Sequence, residues 1–173
     1  MRAVERRNGI LSVLMEQTQP ISASALAAQF SVSRQIIVGD IALMRAQGKN
    51  IQATPRGYLL EEVEHPGLVR TIACLHDDQK MERELQICID HGCSVLDVIV
   101  EHPVYGQLTG VLQLHSRFDI SEFIKQVSRQ EVHALSELTN GIHLHTLECP
   151  SEEAYRRVTE ELEKEGILLK DEA

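Results

Sequence analysis

Two histidines one residue apart hold the chain's most suggestive chemistry. They lie in the run Thr139-Asn140-Gly141-Ile142-His143-Leu144-His145-Thr146-Leu147. Asn-Gly signals a turn, and the alternation behind it predicts a strand. Residues two apart on a strand share a face, so the imidazoles of His143 and His145 project side by side. Two imidazoles need two further donors to hold a metal ion. The same alternation also fits a half-exposed strand with its polar side chains toward water, so the remaining donors have to be found elsewhere.

His76 and Glu84 are the candidates. Val69 to Leu75 reads as a buried strand that ends at His76. Asp77 and Asp78 suit the start of a helix running to His91, with Gly92 behind it. Glu84 then lies about two turns into that helix. If the strand before His76 neighbours the one carrying His143 and His145, all four side chains face one site at the sheet edge. The chain has eight histidines, so chance pairings are discounted. His91 fits a helix C-terminus, His65 a linker, and His115 and His133 a surface. His102-Pro103-Val104-Tyr105-Gly106 reads first as a hairpin corner and second as a pocket wall.

The elements around these residues divide the chain in two. Residues 1–60 carry seven basic and three acidic side chains, a net of +4, against −13 for the remainder and −9 overall. Such a basic head on an acidic body assigns any polyanion to the head. In the head, Ile10, Leu11 and Leu14 mark one amphipathic helix, and Ser22 caps a second through Leu26, Ala27 and Phe30. Ser33 caps a third, with Ile37, Ile41 and Met44 as its inward stripe and Gly48 behind it. A hairpin turning at Pro55-Arg56-Gly57 follows. Three helices and a hairpin make a winged helix-turn-helix, expected over residues 1–62. Its third helix would present Arg34 to guanine and Gln35 to adenine, with Ser22, Ser24, Ser31 and Ser33 on phosphates and Arg56 on backbone or minor groove. Gly39, inside that helix, is out of place and costs about 1 kcal/mol against alanine.

Glu61 to Gly67 changes charge abruptly and contains Pro66, which places the join there. The body, residues 66–173, reads β-α-β-β-α-β-α, an α+β sheet with helices on one face. Within it, Asp119 with Glu122 predicts a capping-box start for the helix through Phe123, Ile124 and Val127. None of Cys74, Cys88, Cys93 and Cys149 forms a C-x-x-C pair, so reduced thiols in a cytoplasmic protein are expected. No apolar run is long enough to span a membrane.

The whole chain resembles the niacin-responsive transcriptional repressors, which join an N-terminal helix-turn-helix to a C-terminal 3H domain. The resemblance runs from Ser33-Arg34-Gln35-Ile36-Ile37-Val38 and Arg56-Gly57-Tyr58 through His102-Pro103-Val104-Tyr105-Gly106 to Leu138-Thr139-Asn140-Gly141-Ile142-His143-Leu144-His145. It implies a second domain similar in fold to the histidine-containing phosphocarrier. It also implies one divalent transition metal per chain, held by three histidines and a glutamate that fall by motif on His76, Glu84, His143 and His145. Nicotinic acid is the implied corepressor, with genes of niacin uptake and NAD synthesis as targets. Imidazole and carboxylate suit zinc, nickel, iron or manganese alike. The expectation is therefore a homodimeric repressor of operator DNA, with nicotinate on the open metal positions near His102 or Tyr105. Two other readings fit the same ligands: a regulator for which the metal is itself the signal, and a metal-dependent hydrolase. The hydrolase has no use for the basic head.

Overall fold

The computed structural model describes residues 2–61, 67–129 and 133–170. The chain divides into two compact units, at Val63 and Glu64. The expected join falls mostly on residues 62–66, which, with His65, lie outside the described residues.

The first unit contains α1 (Ala3–Glu16), α2 (Ala23–Phe30), α3 (Arg34–Ala46) and a hairpin of β1 (Ile51–Thr54) and β2 (Gly57–Leu60). Helix starts fall where short hydroxyls permit: Ser22 Oγ accepts from the Ala25 N–H at 3.1 Å, and Ser33 Oγ from the Ile36 N–H at 3.3 Å. The inward stripe closes an aliphatic core, with Ile37, Ile41 and Met44 buried against Ile10, Leu14, Leu26 and Ile51. A buried carboxylate locks α3 to α1. Asp40 accepts from Arg6 Nε at 2.6 Å and from Arg7 Nη1 at 3.4 Å. Two of the head's seven cations are thus committed inside the fold. Ile21 and Tyr58 exchange backbone hydrogen bonds at 2.9 and 2.8 Å, which pins the hairpin to the loop before α2.

The second unit follows the expected order, with β3 (Leu68–Leu75), α4 (Met81–Asp90), β4 (Ser94–His102), β5 (Gly106–Leu114), α5 (Arg117–Arg129), β6 (Ile142–Cys149) and α6 (Glu152–Lys164). The four strands form one antiparallel sheet in the order β3-β6-β4-β5. Leu85, Cys88, Ile120, Val158 and Leu162 from the helices pack on Ile72, Cys74, Val95, Leu112 and Leu147 from the strands.

Three details depart from expectation. Helix α5 starts three residues early, because Ser116 Oγ accepts from the Asp119 N–H at 3.1 Å while the Asp119 carboxylate accepts from the His115 N–H at 2.9 Å. Ser116, not Asp119, therefore caps the helix, and the Asp119 carboxylate reaches back to the amide before the cap. A 3-10 turn over Leu135–Thr139 precedes β6. Beyond α6 the chain runs beside β3, where the Leu75 N–H donates to Ile167 at 2.8 Å and the Leu169 N–H to Ala73 at 3.0 Å.

Candidate metal centre and DNA-binding face

Pairing of β3 with β6 decides what meets at the sheet edge. Cys74 lies opposite His143 and Ile72 opposite His145. Alternation carries Ile72, Cys74 and then His76 to the same face as the two β6 histidines. Helix α4 packs on that face and drops Glu84 among them. His76, His143 and His145 are 9%, 3% and 3% exposed and Glu84 1%, so water is almost excluded from the group.

The glutamate is the hub. Glu84 Oε2 lies 2.6 Å from His76 Nε2, and Oε1 lies 3.0 Å from His143 Nε2 and 3.4 Å from His145 Nε2. The rings stand nearly perpendicular in sequence, with centroids 4.7 Å apart for His76 and His143 and 4.9 Å for His143 and His145. Each imidazole spends its other nitrogen on a backbone carbonyl. Nδ1 of His76 donates to Asp77 at 2.6 Å, Nδ1 of His143 to Gly141 at 2.8 Å, and Nδ1 of His145 to Asp97 at 2.6 Å. A carbonyl only accepts, so Nδ1 carries the proton in all three rings. Asp97 sits where the β4–β6 register shifts, between Val95 and Ile99. That bulge turns its carbonyl out of the ladder and toward His145.

A neutral ring protonated at Nδ1 presents a bare lone pair at Nε2, and here three such lone pairs face a carboxylate. The contacts are favourable only if the rings take up second protons or a cation lies among them. Burial by itself raises the pKa of Glu84, but the three imidazoles outweigh it and hold the carboxyl well below its usual range. Burial lowers His76 and His145, and the Glu84 carboxylate more than reverses this, leaving both raised. Several imidazolium ions in one dry pocket are costly, whereas a single divalent cation satisfies the same lone pairs. Donors bound at about 2.1 Å to one ion lie roughly 3 Å from each other, and the contacts to Glu84 have that scale. The residues present therefore fit a transition metal.

The turn before β6 builds the mouth of this site. Asn140 takes the left-handed conformation at φ 53°, and Gly141 follows at φ 91°. A Cβ on Gly141 would lie 2.4 Å from the His76 carbonyl oxygen, so only glycine admits this approach. Two cavities flank the centre. One of about 520 Å³ reaches His76 and is walled by Asp77, Asp78 and Glu137. The other, of about 940 Å³, is bounded by His143, Leu144, Ile99, Val100 and His102. His102 Nδ1 accepts from the N–H groups of Val104 and Tyr105 at 3.1 and 3.2 Å, which fixes the hairpin corner. Tyr105 stacks on His102 with centroids 5.0 Å apart, but is itself 76% exposed and does not line that cavity.

One donor is not among those the sequence singles out. The sulfur of Cys74, a carboxylate oxygen of Glu84 and a ring nitrogen of His143 all lie within 4.8 Å of one another. Its signal in the sequence is its place two residues before His76 on a strand, not any cysteine spacing.

In the head, Ser22, Ser24, Ser31, Ser33, Arg34 and Gln35 are all exposed, with Arg34 and Gln35 in the first turn of α3. Ile36 and Leu43 on that helix are 43% and 52% exposed. Arg56 is the exception to the expected arrangement. It is half-buried, and its Nη1 donates to Gln19 Oε1 at 3.3 Å instead of reaching out from the hairpin tip. The would-be Cβ of Gly39 meets nothing within 4 Å, which removes close packing on a neighbouring helix as its reason.

Comparison with known proteins agrees with the fold of both units. The 3H domain matches residues 69–171 and a helix-turn-helix domain residues 6–59. Transcription repressor NadR of Bacillus subtilis is 41% identical over 99% of this chain and 97% of its own length. Probable transcription repressor NiaR of Thermotoga maritima is 40% identical over 96% of this chain and 95% of its own length. A DNA-binding regulator, not a hydrolase, is what these relatives support, and among the described residues no helix is long and apolar enough to cross a membrane. With a helix-turn-helix head, a 3H body and repressors as near full-length relatives, the chain belongs to the family of niacin-responsive transcriptional repressors.

Proposed function

We propose that this repressor binds operator DNA as a two-fold dimer and takes nicotinic acid as corepressor through a divalent transition metal. His76, Glu84, His143 and His145 would hold the ion. Genes of niacin uptake and NAD synthesis would be its targets, and the cytoplasm its place of action. The observation that carries the reading is the convergence of three Nε2 lone pairs on one buried carboxylate. When bound, the metal supplies a Lewis acid that takes a carboxylate oxygen or a pyridine nitrogen. The chain itself does the rest. Carbonyls of Asp77, Gly141 and Asp97 fix the rings, and burial excludes competing water. Of the two neighbouring cavities, the one walled by Asp77, Asp78 and Glu137 repels an anion. The cavity between His143 and His102 offers Ile99, Val100 and Leu144 to an aromatic ring and suits nicotinate better.

Operator affinity measured with and without nicotinate, at fixed metal, tests the reading. Linkage requires DNA and nicotinate to tighten one another by the same factor, typically about 5–150-fold. Calorimetry of a His143→Ala, His145→Ala double variant supplies the second arm. Unchanged nicotinate affinity and an unchanged DNA response would refute a metal-bridged effector. The near-complete burial of all four ligands favours one alternative, in which the metal itself is the signal. In that case operator affinity follows metal and ignores nicotinate.

A further inference from the structure

We propose that Cys74 is a further ligand of this centre, so that the ion is held by sulfur as well as by nitrogen and oxygen. The proposal rests on the reading of a metal among His76, Glu84, His143 and His145, and asks what else touches it.

Three observations point to the sulfur. Strand pairing sets Cys74 directly opposite His143, and strand alternation puts it on the face of His76. Its sulfur belongs to the group that, with Glu84 and His143, spans no more than 4.8 Å. The side chain is fully buried, so no solvent competes for its sulfur. Most buried free cysteines act as small apolar fillers. Cys88, Cys93 and Cys149 are also buried in the core of this unit. Cys74 differs because its sulfur is set among donors.

Charge balance gives the sulfur its role. Glu84 supplies one negative charge against two on the metal, and three neutral imidazoles add none. A buried site with an uncompensated charge is costly. A thiolate at Cys74 makes the ensemble neutral without help from solvent. In forming the bond, sulfur gives an electron pair to the metal and its proton leaves to water, with no change in oxidation state. A soft sulfur donor also shifts preference away from manganese and toward zinc and cadmium.

The experiment uses the full-length chain, stripped of metal and titrated with Co²⁺. A sulfur-to-cobalt charge-transfer band in the near ultraviolet, saturating at one ion per chain, is expected and should vanish in Cys74→Ser. The zinc form of the unmodified chain gives a test that needs no variant. X-ray absorption should find one sulfur at about 2.3 Å beside the nitrogen and oxygen neighbours. Replacing Cys74 by serine should also reduce the preference for Cd²⁺ over Mn²⁺ by about tenfold or more. Metal bound with only nitrogen and oxygen neighbours overturns the sulfur ligand and leaves the metal reading standing. A charge-transfer band that persists in Cys74→Ser assigns it to another thiol and also overturns the proposal. Failure to retain any metal overturns both.

Discussion

Replacing Gly39 by alanine should separate folding from DNA reading in a single change. Gly39 lies in the middle of α3, Arg34–Ala46, on its exposed side, with no atom beyond its chain neighbours and its own helix backbone within 4 Å of where a Cβ would stand and no left-handed backbone angle. The added methyl therefore meets no resistance, and the helix gains the propensity difference of about 1 kcal/mol. For a unit of this size that raises the midpoint of thermal unfolding by roughly 4–8 °C. Calorimetric scans of the full chain would resolve the head's transition. Helical spacing puts Gly39 on the side of Gln35, Ile36 and Leu43, the same side that begins with the reading residues. If that side lies in the major groove, the methyl intrudes on DNA, and overpacking of about 1–3 kcal/mol weakens operator binding by about 5- to 150-fold. The expected result is thus a more stable protein that binds its operator less well. An unchanged or lower unfolding midpoint refutes the open space around Gly39. A higher midpoint with full operator affinity refutes placing this face of α3 on DNA.

Other expectations follow from the same geometry. Arg34→Ala should lose roughly 1–3 kcal/mol per half-site and relax sequence preference, read by competition between operator and random duplex. Arg56→Ala should have a small, sequence-independent effect on binding, because that guanidinium is already engaged by Gln19, and a large loss of specificity would contradict this. Gly141→Ala should disturb the carbonyl of His76 and lower metal affinity, measured by chelator competition, with the head's transition unmoved. In metal-free protein, the depressed Glu84 stabilises the body above its unfolded pKa near 4.5, and this is lost as pH falls through the lower folded value. The raised His76 and His145 stabilise it below 6.5, and this is lost as pH rises through their folded values. Metal-free body should then be most stable in mildly acidic buffer, between those limits, and chemical denaturation across pH checks it. A body fragment should sediment as a dimer at tens of micromolar, and a monomer there would count against the acidic body as the dimer contact.

What the sequence made legible is what local rules control. The period of two in His143-Leu144-His145 reports a shared strand face, and Ser22 and Ser33 announce their helices because capping involves only the next three residues. The succession of elements around His76 is legible because strong turn signals bound each strand, but the pairing of β3 with β6 enters the sequence reading only as a condition. The rest depends on contacts between distant residues. Ser116-x-x-Asp119 and Asp119-x-x-Glu122 both satisfy the capping pattern, and only packing of Asp119 against the His115 amide chooses between them. The tie between Arg56 and Gln19 joins hairpin to loop, which no local window contains. Ile167 to Leu169 form too short a run to read as a strand until β3 is present to receive them. Cys74 is invisible to rules of cysteine spacing, because what marks it is its phase relative to His76 and not its distance from another thiol.

The pairing of β3 with β6 also has a consequence for the order of events when the chain folds. His76 and Glu84 are made early in the body and His143 and His145 late, so no local segment owns a complete donor set. Bringing β3 to β6 closes a long loop and carries the entropy cost of a distant contact, which slows folding. A metal ion therefore has little to bind until the sheet is nearly assembled, and cannot act as the seed of this domain. Loading should lag behind the recovery of secondary structure when unfolded chain is diluted into metal-containing buffer. An ion bound to all four side chains would fasten two strands distant in sequence, so its main kinetic effect should be on unfolding and not on folding.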